Sequence, residues 1–76
     1  MKYYIFRETS ENGLIVEPYA VKSSDYATAE AAFKLQTGFS TGSQLDYRER
    51  EVTEFEKYYR ELRLGEVHSI FGLERG

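Results

Sequence analysis

Two features of this 76-residue sequence could support catalysis, a serine motif and the single histidine. The segment Gly38–Gly42 has the pattern G-x-S-x-G, with Ser40 in the place of the serine that a nucleophile elbow exposes. An elbow joins a strand to a helix, whereas this segment follows a run of helix formers, and only His68 could act as base. We therefore predict no catalytic residues, a helix end at Gly38, and a partly exposed or hydrogen-bonded His68.

The same loop, extended to Gly38–Ser43, offers a second kind of chemistry, the binding of an anion. Its hydroxyl and backbone N–H groups would stand just before a predicted helix, and helix N-termini attract phosphate and carboxylate groups. The Gly-Lys-Ser/Thr of a P-loop is missing. A small-ligand or nucleotide-sequestering protein that uses this loop is therefore an alternative function, with an ordinary capped turn as the simpler interpretation.

The residue types that build metal and cofactor sites are scarce. With no Cys and one His, the chain can form neither a disulfide nor a closed zinc site of nitrogen and sulfur ligands. The acidic residues of the second half have Arg or Lys neighbours in sequence, which is typical of a solvated face. We predict no metal and no cofactor, and we predict that the protein is not an enzyme.

Charge and hydropathy limit the environment and the class of partner. The formal charge of −3 argues against direct nucleic-acid binding, because proteins that bind nucleic acids usually carry a basic patch. The N-terminal apolar run, Tyr3–Phe6, is too short for a signal peptide or a membrane span. We expect a soluble, cytoplasmic protein that does not enter the membrane and that has a protein partner.

Tyrosine is the signal that points to such a partner. Seven Tyr in 76 residues exceed what a small core needs, and adjacent tyrosines cannot all face one interior. Tyr and Arg anchor many protein interfaces because each presents a large surface with a polar tip. The predicted partner-binding residues are Tyr58, Tyr59, Arg60, Arg63, Tyr3 and Tyr47. The alternatives are that Tyr59 is core, that Tyr58 only covers apolar surface with its hydroxyl in water, and that Tyr3 packs within a strand.

The first twenty-two residues predict an antiparallel hairpin. Lys2–Glu8 and Leu14–Lys22 are rich in strand formers, and Asn12-Gly13 in the loop of about five residues between them favours a reversal. Because the first strand is apolar on both faces, we expect it to be central or covered twice. Pro18 cannot donate to a ladder, so the second strand should be an edge or bulged there.

A helix follows, and a short strand closes the chain. Ser23–Asp25 provides three candidate N-caps for a helix over Tyr26–Gln36, which ends near Gly38. Its predicted buried stripe is Tyr26, Ala29 and Phe33. Val67–Phe71 is typical of a final strand, and Gly72–Gly76 of a frayed tail.

The segment between these elements has two interpretations. We favour one long helix from Ser43 to near Gly65, because the segment has favourable i,i+4 charge pairs and contains no Gly, Pro or Asn before Gly65. Its apolar seam would be Leu45, Val52, Phe55, Tyr59 and Leu62, with Arg48 in the remaining position. The competing interpretation makes residues 44–52 a charged edge strand, followed by a shorter helix with a Thr53–Glu56 capping box. Both interpretations place residues 54–64 in a helix.

The predicted fold is one small α+β domain spanning residues 1–76. It has an N-terminal antiparallel hairpin and two helices packed on an antiparallel sheet of three or four strands. Met1–Tyr4, followed by a hairpin and a helix, resembles small antitoxins of the HicB type, but the third strand that they have before the helix has no counterpart in this sequence. We take no function from that likeness.

The predicted function is that of a non-enzymatic protein-binding module. Small size, acidity and the absence of catalytic residues also fit an inhibitor of a bacterial defence system, encoded by a phage or mobile element and similar to an anti-CRISPR, which would act by blocking a partner's surface. A structural homodimer joined through the apolar seam is a further alternative, beside the ligand-binding loop.

Overall fold

In the computed structural model, which describes residues 1–39 and 42–75, four strands and two helices form an α+β fold. Their order is β1 (Lys2–Thr9), β2 (Tyr19–Ser23), α1 (Tyr26–Thr37), β3 (Gln44–Glu51), α2 (Val52–Tyr58) and β4 (Val67–Ser69), with a 3-10 turn at Ile70–Gly72. The strands form one antiparallel sheet in the order β3-β1-β2-β4. The predicted fold class, with its N-terminal hairpin, is confirmed.

The sheet is covered by apolar side chains on both faces. On the side that α1 covers, the α1 face, the buried residues are Tyr4, Phe6, Val21, Ala29 and Phe33. On the opposite side, the α2 face, they are Tyr3, Ala20, Phe55, Leu62 and Leu73. Because successive strand residues point to opposite faces, β1 contributes to both clusters. The two-sided apolar pattern of β1 thus correctly predicted a central strand with two covered faces.

Helix α1 forms as local sequence signals predict. The Asp25 carboxylate accepts a hydrogen bond from the Thr28 backbone N–H at 2.7 Å, which caps the N-terminus. Gly38 ends the helix with a φ of 68°, in the left-handed region that glycine adopts readily. Ala29 and Phe33 are buried and Tyr26 is half-buried, so the predicted stripe faces the sheet.

The hairpin differs from the prediction in its second strand. Gly13 has a φ of 80° at the predicted reversal, but the regular part of β2 begins at Tyr19 and not at Leu14. Between the pairs Phe6↔Tyr19 and Thr9↔Ile15, the first strand advances three positions and the second four. The extra residue lies beside Pro18, so the prediction of a bulge is confirmed. The edge position is wrong, since β2 lies between β1 and β4.

The favoured long helix from Ser43 to Gly65 is wrong, and the competing strand and helix are present. An i,i+4 charge pair contributes only about 0.2–0.5 kcal/mol to a helix. As a strand, the segment pairs all eight residues of β3 with β1 and covers the open edge of that central strand. Long-range pairing therefore outweighs local helix preference.

The apolar seam is divided by this change. Leu45 packs on the α1 face, whereas Val52, Phe55, Tyr59 and Leu62 belong to the α2 face. Phe55 and Leu62 are buried in the protein's own core. The seam predicted for a homodimer is therefore not one continuous surface, and its Phe55 and Leu62 are not exposed to a second copy.

Helix α2 is shorter than both interpretations predicted. It ends at Tyr58, so the prediction that residues 54–64 are helical is wrong beyond that position. The Thr53–Glu56 capping box does not form either, because the N-cap is Glu51 and it makes no side-chain cap bond. The Glu56 carboxylate instead accepts hydrogen bonds from Tyr3 and Lys22.

The C-terminal residues are packed and not frayed. Strand β4 ends at Ser69, before the predicted limit of Phe71, and the 3-10 turn then brings Leu73 into the α2-face core. The Arg60 backbone N–H donates to the Leu73 carbonyl at 2.7 Å, and that of Arg75 donates to the Tyr58 carbonyl at 3.1 Å. The prediction of a frayed tail is wrong for residues 72–75, and Gly76 lies outside the described residues.

Candidate protein-binding groove

The residues that could have supported catalysis do not form a site in the described part of the chain. Ser40 and Thr41 lie outside it, so the serine motif has no described geometry. His68 is half-buried in β4 with its Nδ1 at 2.8 Å from the Ser69 carbonyl oxygen, as the hydrogen-bonded interpretation predicted. Within residues 1–39 and 42–75, no three His, Asp or Glu side chains come together to hold a metal ion.

The loop Gly38–Ser43 loses the basis of its predicted anion site. It leads into strand β3 and not into a helix, so no helix N-terminus stands behind it. The Glu11 side chain lies where a β-carbon on Gly42 would be placed, which puts a carboxylate beside the loop. A neighbouring negative charge opposes the binding of a phosphate or carboxylate.

A groove on the α2 face gathers a different set of polar and aromatic side chains. It has a volume of about 340 Å³. We call it the arginine–tyrosine groove; its lining residues are Ile5, Arg48, Arg50, Glu54, Phe55, Tyr58, Tyr59 and Ile70. A smaller groove of about 190 Å³ shares Ile5 and Arg48 with it and adds Arg7, Pro18, Asp46 and Tyr47. The uncovered part of the α2 face is thus rich in arginine and tyrosine.

The register of β3 on β1 positions the two arginines. Arg50 is opposite Tyr3 and Arg48 is opposite Ile5, so both side chains point to the α2 face. Glu51 is extended and Val52 begins α2 directly, with no loop between strand and helix. The tyrosines at the end of α2 are therefore held close to the arginines of β3.

The charges in the groove are only partly neutralised. The Arg50 guanidinium lies 3.2 Å from the Glu54 carboxylate, in an exposed i,i+4 pair. Arg48 has no carboxylate within 4.0 Å among the described residues. The groove therefore presents a cation on a chain whose formal charge is −3.

The two adjacent tyrosines have different environments. The Tyr58 side chain is exposed, at 66% of its full accessible surface. Tyr59 is half-buried and stacks on Phe55 with ring centroids 4.6 Å apart, and Phe55 stacks on Tyr3 at 3.9 Å. The interpretation of Tyr59 as part of the core is confirmed, although one side of its ring still lines the groove.

Tyr3 cannot be a partner-binding residue, because its side chain is fully buried. Its hydroxyl donates to the Glu56 carboxylate at 2.6 Å and accepts from the Leu62 backbone N–H at 3.0 Å. Burial and the bond to Glu56 raise the pKa of Tyr3 to about 12. The same bond and Lys22 lower the pKa of Glu56. Tyr3 connects β1 to α2 and to the segment after it.

The other predicted binding residues lie outside the arginine–tyrosine groove. Arg60 and Arg63 line a separate open groove of about 820 Å³, where the Glu66 carboxylate lies 3.7 Å from the Arg60 guanidinium and accepts from the Arg63 backbone N–H. Tyr47, 44% exposed, lines the smaller groove and contacts Tyr26 at a ring distance of 4.3 Å. The structure thus divides the six predicted residues among three grooves and the core.

Sequence reasoning missed the arginines of the groove. The long-helix interpretation places Arg48 in an apolar seam and makes Arg50 the i,i+4 partner of Asp46 on the same helix. The signal that could have placed them is the alternation within Asp46–Arg50, in which every second residue after Asp46 is an arginine. This two-residue period is that of a β-strand, in which both arginines lie on the same face.

No known protein family matches the sequence, and neither a curated protein nor a solved structure shows detectable similarity to it. No helix in the described ranges is both long and apolar enough to cross a membrane.

Proposed function

We propose that this protein is a non-enzymatic protein-binding module and that its arginine–tyrosine groove holds the partner. The observation that carries the proposal is the exposed ring of Tyr58 at a groove that also contains Arg48, a cation without an ion-pair partner among the described residues. Exposed Tyr and Arg side chains contribute strongly to binding when a partner desolvates them. Tyr58 therefore has the properties of an anchor residue.

The chemistry of the groove determines which partner surface would fit it. Ile5 and Tyr58 offer apolar and aromatic surface, and Arg48 offers a positive charge beside them. The complementary surface has an acidic side chain next to an apolar one. Charge complementarity of this kind raises the association rate and selects among partners.

A more specific role, inhibition of a bacterial defence system by a phage or mobile-element product, remains a prediction from composition. It would require that the partner be a component of such a system and that the groove cover a surface that this component needs. The cytoplasmic location is likewise a prediction. Identification of the partner tests both.

The test is capture of a partner from lysate of the native host by the tagged protein, compared with two groove variants. Tyr58→Ala should lower the captured amount about tenfold or more, as expected of an interface anchor. Arg48→Ala should reduce capture more at low than at high salt, because the lost interaction is electrostatic. Leu35→Ala is the matched control, since Leu35 is 83% exposed on α1, which covers the opposite face of the sheet from the groove.

Circular dichroism should give the same spectrum for all four proteins. Equal capture by wild type and Tyr58→Ala would refute the groove as the binding site. If the wild-type protein captures no protein near a one-to-one ratio, the binding-module proposal itself fails for that host.

A further inference from the structure

The longest strand edge of the sheet has no strand beside it. Strand β3 runs for eight residues at one side of the sheet and pairs only with β1, and no bridge in the described part of the chain involves its other side. An unpaired edge of this length presents backbone N–H and C=O groups that a further strand could bind. Strand β4, at the opposite side, has only three residues.

We propose that β3 is a dimerisation edge, on which a second copy of this chain adds its own β3 in antiparallel orientation. The two sheets would then join into one sheet of eight strands about a two-fold axis. The two proposals share Arg48, which lines the arginine–tyrosine groove and would lie opposite Asp46 of the second copy, but the pairing itself uses the backbone edge of β3 and does not involve Tyr58.

The charge pattern of β3 selects one register for this pairing. In an antiparallel pair, directly opposite residues point their side chains to the same face of the sheet. The two-fold axis therefore passes through one residue of β3, which lies opposite the same residue of the second copy. Only two axes pair seven of the eight residues of β3. An axis at Tyr47 pairs Gln44–Arg50 of the two copies, and an axis at Arg48 pairs Leu45–Glu51. These two registers differ in their charge contacts.

With the axis at Tyr47, each Asp46 lies opposite Arg48 of the other copy, and each Gln44 lies opposite Arg50. The remaining opposite pairs are Leu45 with Glu49 and Tyr47 with its own copy, so no like charges meet directly. With the axis at Arg48, each Asp46 would still lie opposite an arginine, Arg50, but the two Arg48 side chains would oppose each other at the axis, which is destabilising. The pattern of β3 is therefore self-complementary in the register centred on Tyr47.

The environment of Tyr47 fits a position at the axis. Its ring packs against Tyr26 at 4.3 Å and lies within 6.3 Å of the Tyr4 and Phe6 rings, yet 44% of the residue remains exposed. The exposed edge of this aromatic group would meet the same group of the second copy. Aromatic pairs directly opposite on a sheet stabilise strand pairing.

The first test is the molar mass of the wild-type protein by light scattering during size-exclusion chromatography, over a range of concentrations. A dimer should have twice the 8.9 kDa of the chain. Asp46→Arg places like charges opposite each other at two points of the interface and should raise the dissociation constant about tenfold. Combining Asp46→Arg with Arg48→Asp restores opposite charges and should restore the dimer, which separates loss of pairing from loss of folding.

The register is tested by cross-linking, which is straightforward because the chain has no Cys. Opposite residues in an antiparallel pair have β-carbons about 4.5–5.5 Å apart, close to the separation that a disulfide bridges. Tyr47→Cys should therefore cross-link under oxidation faster than Arg48→Cys and than the control Leu35→Cys on α1. A wild-type protein that stays monomeric at millimolar concentration would overturn the proposal, and faster cross-linking of Arg48→Cys would overturn the register.

Discussion

At the residue scale, the tyrosines of this protein have three different roles. Tyr3 is a core residue whose hydroxyl satisfies a buried backbone N–H, Tyr59 closes the edge of an aromatic stack, and Tyr58 is exposed beside two arginines. The same side chain serves all three because it combines a large ring with a polar tip. Which role each tyrosine takes depends on its neighbours and not on its type.

The hydroxyl of Tyr3 should make stability fall at alkaline pH. Its pKa is raised from the ordinary value of 10.0 to about 12, so between these values the unfolded chain releases a proton that the folded protein retains. Deprotonation then favours unfolding, and the stabilisation present below pH 10 is lost as pH rises through about 12. Tyr26, bonded to Glu30, has its pKa raised to about 12 and contributes in the same direction.

Denaturant titrations at a series of pH values measure this effect. Tyr3→Phe removes the titrating group, so its free energy of unfolding should depend less steeply on pH in this window than that of wild type. At neutral pH the variant should also be about 1–3 kcal/mol less stable, because a buried N–H loses its acceptor. Tyr58→Phe, which removes an exposed hydroxyl, is the control; a Tyr3→Phe protein with the wild-type slope would contradict the assignment.

At the element scale, local sequence signals correctly predict a helix when a single residue caps each of its ends. Asp25 begins α1 and Gly38 ends it through contacts with residues three or four positions away. For β3 and α2, the apolar spacing fits a helix, but the partner that decides the structure is β1, whose paired residues lie 35 or more positions earlier in the chain. Nearby residues therefore determine the secondary structure of α1, whereas pairing with a distant strand determines that of this segment.

Loss of the Asp25 cap should weaken α1 without disturbing the rest of the fold. Asp25→Ala leaves the Thr28 N–H without its side-chain acceptor and should lower the free energy of unfolding by about 1 kcal/mol. Ser24→Ala, beside it and exposed, should change stability by less than about 0.5 kcal/mol. Urea unfolding followed by circular dichroism compares the three proteins, and equal midpoints for all of them would argue against the cap.

At the scale of the whole molecule, the few apolar side chains that form the core are divided between the two faces of one sheet. Helix α1 covers one face alone, whereas the other is covered by α2, the segment around Leu62 and the C-terminal turn. A domain of this size buries a limited share of its surface, so each of these pieces matters to stability. The short α2 also leaves part of the α2 face open, and the arginine–tyrosine groove lies there.

The C-terminal residues should therefore be essential to folding. Leu73 is only 1% exposed, and Leu73→Ala should cost about 2–5 kcal/mol of stability through lost packing and the cavity that remains. That is a large part of the 5–15 kcal/mol typical of a whole domain. Leu35→Ala, the same change at an exposed site, should cost less than about 0.5 kcal/mol. Thermal unfolding distinguishes the two, and a Leu73→Ala protein with wild-type stability would mean that the tail is not part of the core.

The sequence by itself determined the elements that depend on near neighbours. The reversal at Asn12-Gly13, the capped helix α1 and the central position of β1 all follow from residues within a few positions, because turn conformation, capping and strand alternation are local properties. Composition also limited the possible chemistry, since a chain without Cys and with one His cannot build a closed zinc site of nitrogen and sulfur ligands.

Only the tertiary structure decided whether residues 44–51 are helix or strand, and with it the candidate site. The local charge pairs of a helix contribute less free energy than a full ladder on β1, and that ladder exists only when the chain has folded. The strand places Arg48 and Arg50 on the face where α2 ends at Tyr58, and it leaves its own outer edge unpaired within the described residues. The groove and the edge arise from contacts between residues distant in sequence, which no local pattern encodes.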